Sequence, residues 1–278
     1  MVVIEHRTFS RKLFIAFNYT FLTSLSVLCV LPLIYVLALS LSSNAAAAAG
    51  KVLFWPVEFT TKSYEFIMGK PEFLTSLGVT IRRVLLGVPL NMLLTILVAY
   101  PLSKEPNVFR WRTFYAWVFV FTLLFQAGLI PLYMTIKELG LLDTIWALIL
   151  HHGVQVFHVV IMLNFFRGLP KELEEAAMID GARQWTILWR IFVPLSKPAL
   201  ATLTLFSIVY QWNAWFDGII FMNSPSNYPL QSYLYTIVVG VESIVANVTD
   251  MEVIEAISDR TAKAAQVFLG ALPVIAVY

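Results

Sequence analysis

The stretch Arg167-Gly-Leu-Pro-Lys-Glu-Leu-Glu-Glu-Ala-Ala-Met-Ile-Asp-Gly-Ala-Arg-Gln-Trp-Thr-Ile-Leu-Trp-Arg-Ile-Phe-Val-Pro-Leu-Ser-Lys-Pro198 lies between two long apolar runs. Pro170 suits the first turn of a helix, and Glu172, Glu174 and Glu175 stand where the N-terminal helix dipole favours anions. Leu173, Ala176, Ala177 and Asp180 recur at helical spacing, and the two alanines leave a flat face that another protein can approach closely. Gly181 can end this helix in the left-handed conformation that residues bearing a Cβ avoid. A second helix carries Trp185, Leu188, Trp189 and Phe192 before Pro194 and Pro198 break it. Two short helices joined at a sharp turn make a rigid knob, and a rigid knob transmits a push where a floppy polar loop cannot.

On either side of the knob the chain is apolar. Of its 278 residues 59% are hydrophobic and 13% charged, against about 25% charged in a soluble domain. That excludes a water-soluble enzyme. Cys29 is the only cysteine, which excludes a disulfide scaffold, and a net charge of +2 without a dense basic run argues against nucleic acid. A bilayer core needs about 20 apolar helical residues. Such runs fall near 14–40, 76–102, 114–135, 144–166 and 198–222. A sixth begins near Ala264 and is still apolar at Tyr278, too short to span, so the natural chain is expected to continue. The runs lack the period-two alternation of a barrel wall. The expected fold is all-α: a single polytopic membrane domain over 1–278 with six transmembrane helices.

Basic residues set the sidedness. With the N-terminus inside, eleven Lys and Arg fall on the cytoplasmic side and six outside, with Arg82 and Arg83 within a span. The N-terminus is therefore expected in the cytoplasm and the 167–198 loop beside it, with outer loops at 42–75 and 223–262. The first outer loop holds an amphipathic Ser63-Tyr-Glu-Phe-Ile, read as a short interfacial helix. The second holds the turn cluster Asn223-Ser-Pro-Ser-Asn and an apolar Tyr235–Val245 piece, read as re-entrant or interfacial.

Polar residues inside spans are costly and mark function. Arg83, Gly87, Asn91 and Thr95 recur every fourth residue on one face of span two. His151, Gln155 and His158 share a face of span four. In span five, Ser207, Gln211, Trp215 and Gly218 share a face, with Asn213 and Asp217 on another. Converging, these would line a polar path, with Trp212 and Trp215 offering ring faces to sugars or packing against a neighbouring chain. For the histidines, interhelical hydrogen bonds and path lining both stand; a metal site lacks nearby acids or thiols. Arg83 has two readings: reaching to outer headgroups, or steering an anionic cargo through bidentate hydrogen bonds. No catalytic residue is assigned. Asp217 and the histidines are the only support for a proton-coupled alternative.

Glu175-Ala176-Ala177-x-x-Asp180-Gly181, with Leu169-Pro170 before it and Ile191-x-x-Pro194-Leu195-x-x-Pro198 after it, resembles the EAA motif of bacterial ABC importer permeases, in its carbohydrate-uptake form. The Trp55-Pro56 loop and Gln211-Trp212-Asn213-x-Trp215-Phe216 extend the likeness across the chain, most of all to LplC-like permeases, a group that includes one permease of the alginate importer. The resemblance implies the type I importer fold, residence in the bacterial inner membrane, and a coupling helix in which Glu174, Glu175, Ala176, Ala177, Asp180 and Gly181 meet an ATPase. It implies Arg83, Asn91, Gln155, His158, Gln211, Trp212, Asn213 and Trp215 along the substrate path. It further implies a second, non-identical permease, two ATPase subunits, an extracytoplasmic binding protein and a saccharide cargo that includes acidic polymers such as alginate. The chain has no G-x-x-x-x-G-K-[ST] sequence, so ATP and Mg belong to the partner ATPase and no cofactor to this chain.

Overall fold

The computed structural model describes residues 9–245 and 260–277, and the elements among them are helical. They are α1 (Phe9–Ser40), α2 (Asn44–Ala48), α3 (Lys62–Met68), α4 (Pro71–Ser103), α5 (Arg112–Leu124), α6 (Leu129–Glu138), α7 (Ile145–Leu150) and α8 (Val156–Arg167). There follow α9 (Lys171–Ile179), α10 (Gln184–Leu195), α11 (Lys197–Asn213), α12 (Phe216–Phe221), α13 (Leu230–Val245) and α14 (Arg260–Val277). Among the described residues, only α1 and α4 are by themselves long and apolar enough to cross a membrane; α5 with α6 and α10 with α11 qualify as bent pairs. The 246–259 part of the expected outer loop lies outside the described residues, as do Arg7 and the rest of 1–8.

The chain divides into two compact units. In the first, the described residues up to Lys70 join the Ile237–Ile275 stretch. Here α1 is apolar all round, and of its 32 residues only Ala38 and Ser40 are buried, the pattern of a helix meant for lipid or another chain. Its end is tied down by Ser42, whose hydroxyl donates to the Ala38 carbonyl and accepts from the Val57 amide. Ser43 caps α2, and Ser63 of the expected interfacial helix α3 meets Thr261 of α14 through their hydroxyls at 2.7 Å.

The second unit, Pro71–Thr236, holds the main core. Val88, Met92, Ile96, Ala99 and Tyr100 of α4 pack with Val159, Met162 and Phe166 of α8, Ile187, Leu188 and Phe192 of α10, and Leu203 of α11. At 33 residues and 1.5 Å per residue, α4 is about 50 Å long, and it runs past all three partners.

Three expected spans are broken rather than continuous. The 114–135 run stops at Leu124 and restarts at Leu129, bent by 115°; Gly128 takes the turn at φ +87°. The 144–166 run is α7 and α8 with a non-helical 151–155 between them. The 198–222 run is α11 and α12, interrupted at Ala214 and Trp215. Length and apolarity cannot separate a straight helix from a broken one, because both bury the same side chains. The Tyr235–Val245 piece lies within α13.

Gly218, in the first turn of α12, has no room for a side chain: a Cβ there would fall 2.1 Å from Ser232 Oγ and 2.7 Å from Pro229 Cδ. Ser232 Oγ is itself held, donating to the Trp215 carbonyl at 2.6 Å. Gly218→Ala is therefore expected to cost about 1–3 kcal/mol through overpacking. Gly78→Ala, in α4 where an added methyl would meet nothing within 4 Å, is expected to hold or raise stability. Thermal unfolding midpoints of the two variants in detergent check the contrast.

Candidate functional site

The 167–198 knob is built as two helices around a glycine turn. α9 follows Pro170 and is capped by Asp180. Beyond it Gly181 adopts φ +79°. The Gly181 amide donates to the Met178 carbonyl and the Ala182 amide to that of Ala177, the paired bonds of a Schellman turn. A Cβ at 181 would touch nothing within 4 Å, so glycine is needed for its backbone and not for space. α10 then widens to a π-helical turn over Leu188–Phe192 just before Pro194, and the chain bends by 79° into α11.

The flat face expected of Ala176 and Ala177 is divided. Ala177 packs inward on the main core with Leu169 and Ala182, while Glu175, Ala176, Asp180 and Gly181 face out. Residues adjacent in sequence are turned about 100° apart on a helix, which separates the two alanines. The outward side has two large apolar groups in the open, Ile179 at 86% exposure and Trp185 at 63%. Glu174 is not free either: its carboxylate takes Lys104 Nζ at 2.6 Å. Tyr100 donates its hydroxyl hydrogen to Gln184 Oε1 at 2.6 Å, Arg167 donates to the Leu102 carbonyl at 3.1 Å, and Lys171 pairs with Glu105. The pairing pulls the Glu105 carboxyl below and pushes the Lys171 ammonium above their ordinary values. In sequence Lys104 bears only on sidedness; no spacing signal connects it to a helix 70 residues away.

The four-residue stripe on α4 is buried as expected, and it faces the breaks in the helices opposite. Asn91 donates to the carbonyls of Gly153 at 3.1 Å and His152 at 3.4 Å, both in the 151–155 break. Its Oδ1 lies 3.2 Å from His158 Nδ1. Arg83 is 0% exposed. Its Nε donates to Gln211 Oε1 at 2.7 Å, its Nη1 to Asp217 Oδ1 at 3.1 Å, and its Nη2 pairs with Asp217 Oδ2. His151 Nε2 is 3.6 Å from the same oxygen. Gly87 makes way for Gln211, since a Cβ there would lie 2.8 Å from Gln211 Nε2.

Arg83 is held inside this cluster. It neither reaches outward nor presents a free guanidinium to cargo, because Asp217 and Gln211 occupy it. The interruption at 214–215 explains why Asp217, placed on a different face from Gln211 by straight-helix geometry, meets the same arginine. Asp217, one support of the proton-coupled alternative, is paired with Arg83 while it lines the cleft with His151. Trp212 is 9% exposed and packed away, while Gln155 Nε2 is buried without a hydrogen-bond partner.

Of the path residues, Asn213 and Trp215 do reach open space. With His152, Tyr210, Leu132 and Phe216 they line a cleft of about 600 Å³. Trp215 stacks on Tyr235 with ring centroids 4.2 Å apart, which fixes its ring. Tyr210 does not stand out in the sequence because it falls on no polar stripe, and His152 stands out only as one of the three histidines weighed for a metal. Asp143, at φ +60°, clamps the Asn223–Asn227 turn. Its carboxylate accepts from the amides of Asn223 and Ser224 and the Ser224 hydroxyl, and its carbonyl from Asn227. The Ser224 hydrogen bonds lead in holding its carboxyl down at about 2.

No protein-family model matches the chain. It is 35% identical over 274 residues to Protein LplC of Bacillus subtilis (strain 168), covering 98% of this chain and 92% of that one. It is 34% identical over 267 residues to the polygalacturonan/rhamnogalacturonan transport system permease protein YtcP of the same organism, covering 96% and 93%. Among solved structures, a chain of a bacterial ABC transporter involved in the import of the acidic polysaccharide alginate superposes with a TM-score of 0.87. The two are 31% identical, over 98% of this chain and 96% of that one.

Two outcomes follow from the site. Arg83→Met strands the Asp217 carboxylate in a buried setting and should cost about 3–5 kcal/mol, most of it recovered in Arg83→Met/Asp217→Leu; thermal midpoints in detergent measure both. The Asp143 carboxyl is depressed in the folded state, so its clamp is complete above the ordinary carboxylate value of about 3.9 and is lost as pH falls through about 2. The Asn223 and Ser224 amides should stay protected, relative to their intrinsic exchange rate at the same pH, down to about pH 3 and lose that protection at every pH in Asp143→Ala.

Proposed function

We propose, because this chain belongs to the permeases of sugar ABC transporters, that it forms one membrane-spanning half of an ATP-driven importer of acidic oligosaccharides. The observation that carries the reading is the knob. A rigid pair of helices, locked at Gly181 and tied to α4, holds Ile179 and Trp185 in the open. Large apolar groups exposed on a stiff protrusion mark an interface, and in this reading the occupant is an ATPase subunit. The chain then crosses the bacterial inner membrane six times with its N-terminus in the cytoplasm, the broken helices counting as single spans.

The assembly comprises this chain, a second non-identical permease, two ATPase subunits holding ATP and Mg, and an extracytoplasmic binding protein. ATP draws the ATPase pair together, the knobs move with it, and the path alternates between outward and inward openings, each partner biasing an existing equilibrium. The cleft of Asn213, His152, Tyr210 and Trp215 supplies hydrogen-bonding groups and a ring face to the sugar. The names of the relatives point to uronic-acid polymers, polygalacturonan in one and alginate in the other. With Arg83 spent on Asp217, selection for acidic cargo rests on the binding protein and the partner permease. The outward loops 55–66 and 223–247 each offer the binding protein a docking surface, the second through the clamped turn at Asn223–Asn227.

Gly181→Asp and Glu175→Lys are expected to leave the protein inserted while cutting ATP-driven uptake of an oligogalacturonide at least tenfold. Normal uptake in both variants would remove the coupling assignment. Uptake of a neutral maltooligosaccharide equal to that of the oligogalacturonide would remove the acidic-cargo assignment.

A further inference from the structure

Lys104 follows the last turn of α4 and is buried, at 8% exposure. Its ammonium lies 4.1 Å from the centre of the Tyr100 ring and 4.4 Å from that of Phe192, and it donates to Glu174 Oε1 at 2.6 Å. One cation therefore touches three elements at once: the end of α4, the first knob helix through Glu174, and the second through Phe192. The two rings are edge-to-face at 5.2 Å, so the pocket around the ammonium has fixed walls. Burial draws its proton affinity down and Glu174 draws it up, as expected of a charge taken from water and given one counter-ion. A surface pair such as Lys171–Glu105, with both side chains more than half exposed, can slip without consequence. A pair held between two rings cannot.

The same helix has a second grip. About 30 Å up α4, at 1.5 Å per residue, Arg83 holds Gln211 and Asp217 on either side of the 214–215 break. The cytoplasmic end of α4 is thus held to both knob helices, by Lys104 together with the Tyr100–Gln184 bond and the packing of Ile187, Leu188 and Phe192, and Arg83 holds the same helix beside the cleft lined by Asn213 and Trp215.

We propose that Lys104 is the positioning residue for coupling: the buried tie through which the 171–195 knob moves α4, and α4 moves the broken helix beside the cleft. The proposal deepens the permease reading and rests on it. Neutralising either end of the tie should free the first knob helix from the end of α4 while the second stays packed on it, so ATP is hydrolysed with little cargo carried.

The test uses the whole importer in proteoliposomes: this chain with its partner permease, ATPase subunits and binding protein. Hydrolysis and uptake are followed together, with an oligogalacturonide or alginate oligosaccharide as probe, whichever the wild type accumulates. Lys104→Met should lower saccharide taken up per ATP at least tenfold while the ATPase still co-purifies. Lys104→Arg, which keeps the charge, should stay within about twofold of wild type. Glu174→Gln should match Lys104→Met, and the double variant should be no worse than the worse single, since both changes cut one tie. Unchanged uptake per ATP in Glu174→Gln, or losses that multiply in the double variant, would overturn the proposal. If Lys104→Met fails to insert, Glu174→Gln decides alone. Wild-type vesicles that accumulate the sugar without ATP would instead overturn the permease reading itself.

Discussion

A guanidinium without exposed surface must be neutralised where it sits, and much of the second unit is arranged to do that for Arg83. Its charge is met by Asp217, and its Nε donor by Gln211. Those two acceptors lie six residues apart, on faces that a continuous helix would separate. The break at Ala214 and Trp215 brings them to one place. Broken backbone away from water is tolerated where neighbours satisfy its freed groups. Asn91 does this directly for the 151–155 break, and Ser232 does it for the carbonyl of Trp215. One polar stripe on α4 thus stabilises interruptions in two other helices.

That arrangement changes what polar residues inside an apolar chain signify. Sequence spacing places Arg83, Asn91, Gln211 and His158 along a path, and the structure has them occupied with one another or with backbone. Asn213 and Trp215 line a cleft together with His151, His152, Tyr210 and Asp217. Asp217 does both, pairing with Arg83 and lining the cleft.

The stripe on α4 is legible in the sequence because its four-residue recurrence needs nothing beyond a helix, and α4 is a continuous helix. The turn at Gly181 is legible because left-handed backbone has few alternatives to glycine. The meeting of Gln211 with Asp217 is not legible, since the intervening residues are as apolar and helix-compatible as their neighbours. Lys104 is hidden for a different reason. Its partner lies 70 positions away, and a lone lysine at a helix end reads as a marker of sidedness. Ala176 and Ala177 read together as one surface, where the second is committed to the core.

The turn from Asn223 to Asn227 carries a consequence of its own. Asp143 gathers its amides and hydroxyl before any other molecule arrives. Fixing a residue's backbone costs about 1–2 kcal/mol of conformational entropy, and here that loss is met within the folded chain. A protein that settles on this corner finds it already shaped, so the encounter needs few new contacts to be favourable and can be brief. In the importer reading, a carrier that must unload and leave on every cycle would be well served by a landing place of that kind.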